Sequence, residues 1–154
     1  MKYLEQYLRV KRWHERFMTS SKNKVHNMST DNYQDDLYAF FINCYHLKDW
    51  IKNDSSLTQQ IRNKVEKFVS ESEELNICGD ICNGSKHLVL DRPKKSADTK
   101  IGSRNFSLVL GHGPIIHIEY IIESNGKKYD AHSLATKCIN TWNHFFKKQH
   151  LKFK

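Results

Sequence analysis

The stretch Glu73 to Leu88, EELNICGDICNGSKHL, predicts a helix with two contrasting sides. At about 100° per residue, apolar and thiol side chains share one broad side, and short polar side chains with a histidine fall in a narrow opposite arc. The broad side holds Leu75, Ile77, Cys78, Ile81, Cys82 and Leu88, and the polar arc holds Asn76, Asp80, Asn83 and His87. Asn and Asp are mediocre helix formers that suit a fixed hydrogen-bond network. The polar arc is therefore either a functional site or an ordinary exposed or interface-lining stripe.

Four further segments carry apolar residues at spacings of three and four, which is the pattern of amphipathic helices. Together with the central stretch, the predicted helices cover about residues 2–20, 31–53, 56–70, 73–89 and 131–149. Short connections between the first four helices indicate an antiparallel bundle, which the fifth helix should close. The predicted fold class is therefore mainly α, and a chain of 154 residues has the size of one domain, 1–154.

A small antiparallel β-meander is predicted before the last helix, over about residues 104–130. Its segments are rich in β-branched and aromatic residues. Asn125-Gly126 separates two of these segments and is a strong two-residue hairpin signal, because both positions need positive φ. The preceding segment, Asp91 to Gly102, contains proline, serine and lysines and is expected to be a loop.

Helix starts and helix faces give two further predictions. Capping side chains precede three helices, in Ser29-Thr-Asp, in Asp54-Ser-Ser, which is also a turn signal, and at Asp130. The apolar faces predict one common core, because their periodicities match across segments. Its expected members are Leu37, Phe40, Phe41, Cys44, Leu47, Leu75, Cys78, Ile81, Cys82, Leu88, Trp142 and Phe145.

The net charge of +8 favours polyanions as partners, with nucleic acid first among them. Basic residues are concentrated just after the central stretch, where only Asp91 and Asp98 oppose them. The candidate phosphate-binding residues are Lys86, Arg92, Lys94, Lys95, Lys100 and Arg104. The alternative is that this segment is basic only because it is exposed to solvent.

The four cysteines, Cys44, Cys78, Cys82 and Cys138, fall on apolar helix faces, where a free thiol behaves as a small buried hydrophobe. No disulfide framework, metal site or cofactor is expected. Cys78 and Cys82 are four residues apart on a helix, which lacks the geometry of a zinc knuckle. Without a signal-peptide core or a membrane-spanning apolar run, the chain is expected to be cytoplasmic and to have no membrane partner.

Two segments and the order of elements resemble HEPN-like helical domains of bacteria and their viruses. The segments are Phe40-Phe-Ile-Asn-Cys-Tyr-His-Leu-Lys-Asp-Trp-Ile and Cys82-Asn-Gly-Ser-Lys-His-Leu. In that superfamily an Arg, a polar residue that is often Asn, a short spacer and a His lie on or just after a late bundle helix. Asn83 and His87 match the polar residue and the His, whereas Cys82 stands at the Arg position. The resemblance covers the helical frame but not the meander.

For active members, the resemblance implies a metal-independent endoribonuclease, usually a homodimer with two motifs facing one another. His87 would move a proton at the ribose 2′-hydroxyl or the leaving oxygen, with Asn83 and Lys86 as the other catalytic candidates. Cysteine cannot stabilise the developing phosphorane charge as an Arg would. A nearby cation, from Lys86 or Arg92, would have to replace it, and Lys lacks the bidentate fork that Arg brings to a phosphate.

Two functions therefore remain open, and a third is more distant. The first is a basic domain that binds RNA or another nucleic acid, either with or without endoribonuclease activity. The second is a noncatalytic dimerisation or protein-interaction module whose polar network joins Asp80 and Asn76 to His46 and Asn43 of the second helix. The third is a small-molecule or nucleotide pocket at Asp80, Asn83 and His46.

Overall fold

The computed structural model describes residues 1–20, 30–85, 100–111 and 113–153. Five helices are α1 (Lys2–Ser20), α2 (Thr30–Lys52), α3 (Gln59–Glu71), α4 (Glu73–Gly84) and α5 (Ala131–Lys148). Three strands, β1 (Lys100–Gly111), β2 (Gly113–Ser124) and β3 (Lys127–Asp130), form one antiparallel sheet in the order β1-β2-β3. The mainly helical fold with a meander before the last helix is therefore confirmed. No helix within the described ranges is long and apolar enough to cross a membrane.

The start of α3 differs from the prediction because Asp54 closes a turn and does not cap the helix. Asp54 Oδ1 accepts hydrogen bonds from the backbone N and the hydroxyl of Ser56, at 2.9 and 2.7 Å. The N-cap is Thr58, whose hydroxyl accepts from Ile61 N at 3.4 Å. The helix therefore begins at Gln59 and not at residue 56. Asp130 caps α5 as predicted, by accepting from Ser133 N at 2.8 Å.

The sheet begins earlier than predicted. Residues 100–102, expected to belong to a loop, are the first residues of β1, and Lys100 pairs in register with Glu123. The register shifts between Ile101 and Ser103, so Gly102 occupies a β-bulge that lets the strand continue toward the end of β2. Residues 91–99 of the predicted loop, residues 86–89 of the predicted fourth helix and the Ser29 cap lie outside the described residues.

The hairpin between β2 and β3 is confirmed. Asn125 and Gly126 have φ of 50° and 73°, which are the positive values that a two-residue turn of this kind needs. Ser124 and Lys127 pair on either side of them. The sheet joins the helical core through Tyr120 and Ile122 of β2, both fully buried.

The common core is confirmed for every predicted member within the described residues; Leu88 lies outside them. Trp142, Phe145 and Phe146 of α5 pack with aromatic residues of α1 and α3. At the centre, α4 lies close against α2 because Gly79 has no side chain. A Cβ at Gly79 would lie 2.6 Å from Cε2 of Tyr45, well inside contact distance. This close approach brings the last turn of α4 to the side chains of α2.

Candidate functional site

Two of the three described members of the α4 polar arc are buried, so this part of the arc is not a solvent-exposed stripe. Asp80 is 0% exposed and Asn76 is 8% exposed, whereas Asn83 is half-buried. The Asn76 amide donates to the carbonyl oxygens of Ser70 and Ser72, at 3.1 and 2.8 Å, and so ties α3 to α4. Asn76 therefore has a structural task at the helix junction. Asp80 also has a polar or charged partner.

His46 of α2 links a carboxylate to a thiol. Its Nδ1 lies 3.2 Å from Asp49 Oδ2, and its Nε2 lies 3.8 Å from Cys82 Sγ. A proton on Nδ1 satisfies both contacts, because the ring then donates to Asp49 and accepts from the thiol. The His46 side chain is 36% exposed, so solvent reaches the imidazole although Cys82 is fully buried. The arrangement is a carboxylate-oriented imidazole of the kind that serves in general acid–base catalysis.

Asp49 is held in its ionised form by its neighbours. Burial raises the pKa of this carboxyl group, but hydrogen bonds from Lys48 and His46 outweigh burial and bring the pKa below its ordinary value. Lys48 Nζ lies 2.8 Å from Asp49 Oδ1 and 3.5 Å from Glu66 Oε1. Lys48 is therefore committed to two carboxylates, and its ammonium also lies 5.0 Å from the centre of the Tyr45 ring.

Asn43 of α2 contacts α1, whereas His46 contacts α4. Gln6 of α1 donates to the backbone oxygen of Asn43 at 3.0 Å. The Asn43 amide donates to Ala39 O at 2.8 Å. Among the described side chains, no hydrogen bond joins Asn43, His46 and Asn76 to one another, because each is committed to a different pair of elements.

The proposed phosphate-binding residues are described only in part. Lys100 and Arg104 lie in β1, where they pair in register with Glu123 and Tyr120. The catalytic candidates Lys86 and His87, and the basic residues Arg92, Lys94 and Lys95, lie outside the described residues. Of the catalytic candidates, Asn83 alone is described, next in sequence to the buried Cys82 that contacts His46.

A groove lies at the junction of α3, α4 and the β2–β3 hairpin. It is not at the place predicted for a small-molecule pocket. That groove has a volume of about 250 Å³. Its lining includes Asn76, Glu73 and Tyr129 but not Asp80, Asn83 or His46. The hydroxyl of Tyr129 donates to Glu73 Oε1 at 2.8 Å, which joins the hairpin to the start of α4.

A second cluster of reactive groups was not predicted from the sequence. Cys44 of α2, Cys78 of α4 and Cys138 of α5 are fully buried, and their sulfur atoms lie within 4.8 Å of one another. We expected no metal site because no cysteines have the spacing of a metal motif along the chain. In the structure, the three thiols come from three different helices. The sequence signal that could have indicated this cluster is the apolar face of each helix. Each face predicted that its cysteine points into the common core.

The comparisons with known proteins assign no family. No protein-family model, curated protein or solved structure gives a significant match to this chain.

Proposed function

We propose that this chain is a HEPN-like RNA-binding domain in which His46, oriented by Asp49, transfers protons at the bound RNA. The observation that carries the proposal is the solvent-accessible imidazole held between Asp49 and Cys82, which Asn83 follows in sequence at the end of α4. The net charge of +8 supports a polyanionic partner. The basic segment begins directly after α4, the helix whose Cys82 contacts the His46 imidazole.

The reaction is cleavage of the RNA backbone by its own 2′-hydroxyl. A base removes the 2′-hydroxyl proton, the oxygen attacks phosphorus, and the 5′-oxygen leaves with a proton from an acid. Asp49 stabilises the imidazolium that forms when His46 accepts a proton. The weak contact between the Cys82 thiol and Nε2 is readily exchanged for a stronger hydroxyl donor. His87 supplies the second proton-transfer group in this proposal.

The charge that develops on the phosphate requires a cation other than Lys48. Lys48 is 8% exposed and already forms ion pairs with Asp49 and Glu66. Cys82 stands where the HEPN-like pattern has an Arg, and a thiol offers no positive charge. Lys86 and Arg92 are therefore assigned this task in the proposal. Where Lys86 supplies the cation, we expect slower cleavage than an Arg would give, because a Lys ammonium is a point charge.

The test is incubation of the purified protein with labelled single-stranded RNA in EDTA. We expect products with 2′,3′-cyclic phosphate ends, which are lost in His46→Ala and in His87→Ala. Asp49→Asn should reduce cleavage, because the imidazolium loses its anionic partner. His144→Ala is the matched control, since His144 is exposed on α5. Equal cleavage by His46→Ala and His144→Ala would remove His46 from the reaction.

The second candidate function is a noncatalytic dimerisation or protein-interaction module, and the burial of Cys82 at the Arg position favours it. RNA binding without cleavage would place the protein between the two candidate functions. Replacing Lys94, Lys95 and Lys100 by Glu should abolish binding, because phosphate contacts carry most of the affinity. The control replaces the exposed Lys64, Lys147 and Lys148 by Glu, with the same change in charge. Light scattering tests the homodimer that the HEPN-like resemblance implies.

A further inference from the structure

We propose that Cys44, Cys78 and Cys138 form a buried three-sulfur binding site for a monovalent copper ion. The site is independent of the proposed RNA chemistry, since its three ligands point into the core and His46 contacts the fourth cysteine, Cys82. Each ligand is contributed by a different helix, so a bound ion would join α2, α4 and α5 at one point.

The geometry of the sulfur atoms suits trigonal coordination. The three Sγ atoms lie within 4.8 Å of one another. Three sulfur ligands about 2.3 Å from a central ion are separated by about 4.0 Å, so each sulfur would move inward by at most about half an ångström. Small χ1 rotations achieve such a shift without moving the helix backbones.

The number and type of ligands select the ion. Thiolates are soft ligands that favour Cu(I) and Zn(II) over hard cations. Structural zinc takes four ligands. Within the described parts of the chain, no fourth Cys, His, Asp or Glu ligand atom joins the three sulfurs. A three-coordinate Cu(I) is therefore the ion that the cluster fits.

Backbone carbonyl groups around the cluster accept hydrogen bonds from two of the thiols. Cys78 Sγ donates to Phe41 O at 3.2 Å, and Cys138 Sγ donates to Glu74 O at 3.5 Å. The buried indole Nε1 of Trp142 makes no hydrogen bond of ordinary geometry to a described residue. It nevertheless lies close enough to Cys44 to affect that thiol. A metal-bound thiolate would give this N–H the acceptor it lacks.

The three thiols differ in acidity. Burial raises the pKa of Cys78 and of Cys138 well above the ordinary value. Burial also opposes ionisation of Cys44, but the neighbouring side chains outweigh burial, and the pKa of Cys44 lies well below its ordinary value. Copper binding would release the thiol protons that remain, so affinity should rise with pH.

The test is anaerobic titration of the reduced protein with Cu(I) against a chromogenic Cu(I) chelator. We expect one ion per chain, a higher melting temperature in the loaded protein and an X-ray absorption spectrum with three sulfur neighbours and no nitrogen. Cys44→Ala, Cys78→Ala and Cys138→Ala should each lower the affinity by at least about tenfold, because each removes a ligand. Cys82→Ala is the control and should bind as the unsubstituted chain does.

Circular dichroism establishes which variants remain folded. The X-ray absorption spectrum of the unsubstituted protein tests the site even where a variant fails to fold. A spectrum with mixed sulfur and nitrogen neighbours, or affinity lost in Cys82→Ala and kept in Cys138→Ala, would overturn the proposal by placing copper at Cys82 and His46. Tighter binding of Zn(II) than of Cu(I) would overturn the trigonal assignment. Absence of Cu(I) binding by the reduced, folded protein would also reject the site.

Discussion

Nε2 of His46 lies 3.8 Å from Sγ of Cys82, so a histidine and a thiol join α2 to α4. Cys82 is fully buried, and the His46 side chain is 36% exposed. The pair therefore lies where the core meets solvent. The imidazole can exchange protons with a ligand, while the thiol fills space in the core.

Cys82→Arg should unfold or strongly destabilise the protein. Cys82 is 0% exposed, so a guanidinium would displace core side chains, and an uncompensated buried charge costs about 3–5 kcal/mol. The measurement is chemical denaturation, with Cys82→Ala as the smaller truncation for comparison. An Arg variant as stable as the unsubstituted chain would show that the end of α4 accommodates the HEPN-like arginine. New cleavage of RNA by that variant would then identify Cys82 as a lost catalytic position.

Gly79→Ala should destabilise the packing of α4 against α2. The added Cβ would lie 2.6 Å from Cε2 of Tyr45, and overpacking of this kind costs about 1–3 kcal/mol. Combining it with Tyr45→Leu, which removes the ring, should recover part of the loss. The free energies of unfolding of both single variants and of the double variant measure this coupling. Strict additivity would contradict the close approach of the two helices.

Phe41→Ala should lower the free energy of unfolding by about 3–5 kcal/mol, because it leaves a cavity among closely packed side chains. Phe41 is 0% exposed and packs edge-on against Phe40, with ring centres 5.0 Å apart. Leu8→Ala is the control, since Leu8 is 38% exposed on α1. The denaturation midpoint is the measurement, and an unchanged midpoint for Phe41→Ala would contradict the assigned core.

Asp54→Asn should destabilise the protein by about 1–3 kcal/mol at neutral pH. Asp54 is 2% exposed, and its Oδ2 accepts from Tyr3 N at 2.9 Å, which ties the start of α1 to the turn before α3. Burial raises the pKa of Asp54, but the hydrogen bonds from Ser56 and Tyr3 outweigh it and lower the pKa.

The pH dependence of Asp54 follows from the direction of that shift. A lowered pKa in the folded state stabilises the fold above the ordinary Asp pKa, and the contribution is lost as pH falls through the folded-state value. The gap in stability between the unsubstituted chain and Asp54→Asn should therefore narrow in acid. Asp35→Asn, at an exposed position of α2, is the control and should show a small gap at every pH. A gap that widens in acid would contradict the shift.

Periodicity along the chain was sufficient to predict the five helices, the meander and the core. Phe41, Leu75 and Trp142 are buried because each lies on the apolar side of its own helix, which is a property of neighbouring residues. The positive φ of Asn125 and Gly126 likewise follows from two adjacent residue types. The start of α3 was less predictable, since Asp54 and Thr58 both have capping side chains and the contact with Tyr3 engages Asp54.

Tertiary structure alone decided which polar and thiol groups meet. Periodicity placed Asn43 and His46 on one flank of α2, but packing directs Asn43 toward Gln6 and His46 toward Cys82. Periodicity also placed Cys44, Cys78 and Cys138 in the core without indicating that their sulfur atoms lie together. Helical spacing defines the direction of a side chain around its own axis. Distances between side chains of different helices depend on where the helices cross, and at α2 and α4 that crossing is permitted by the missing side chain of Gly79.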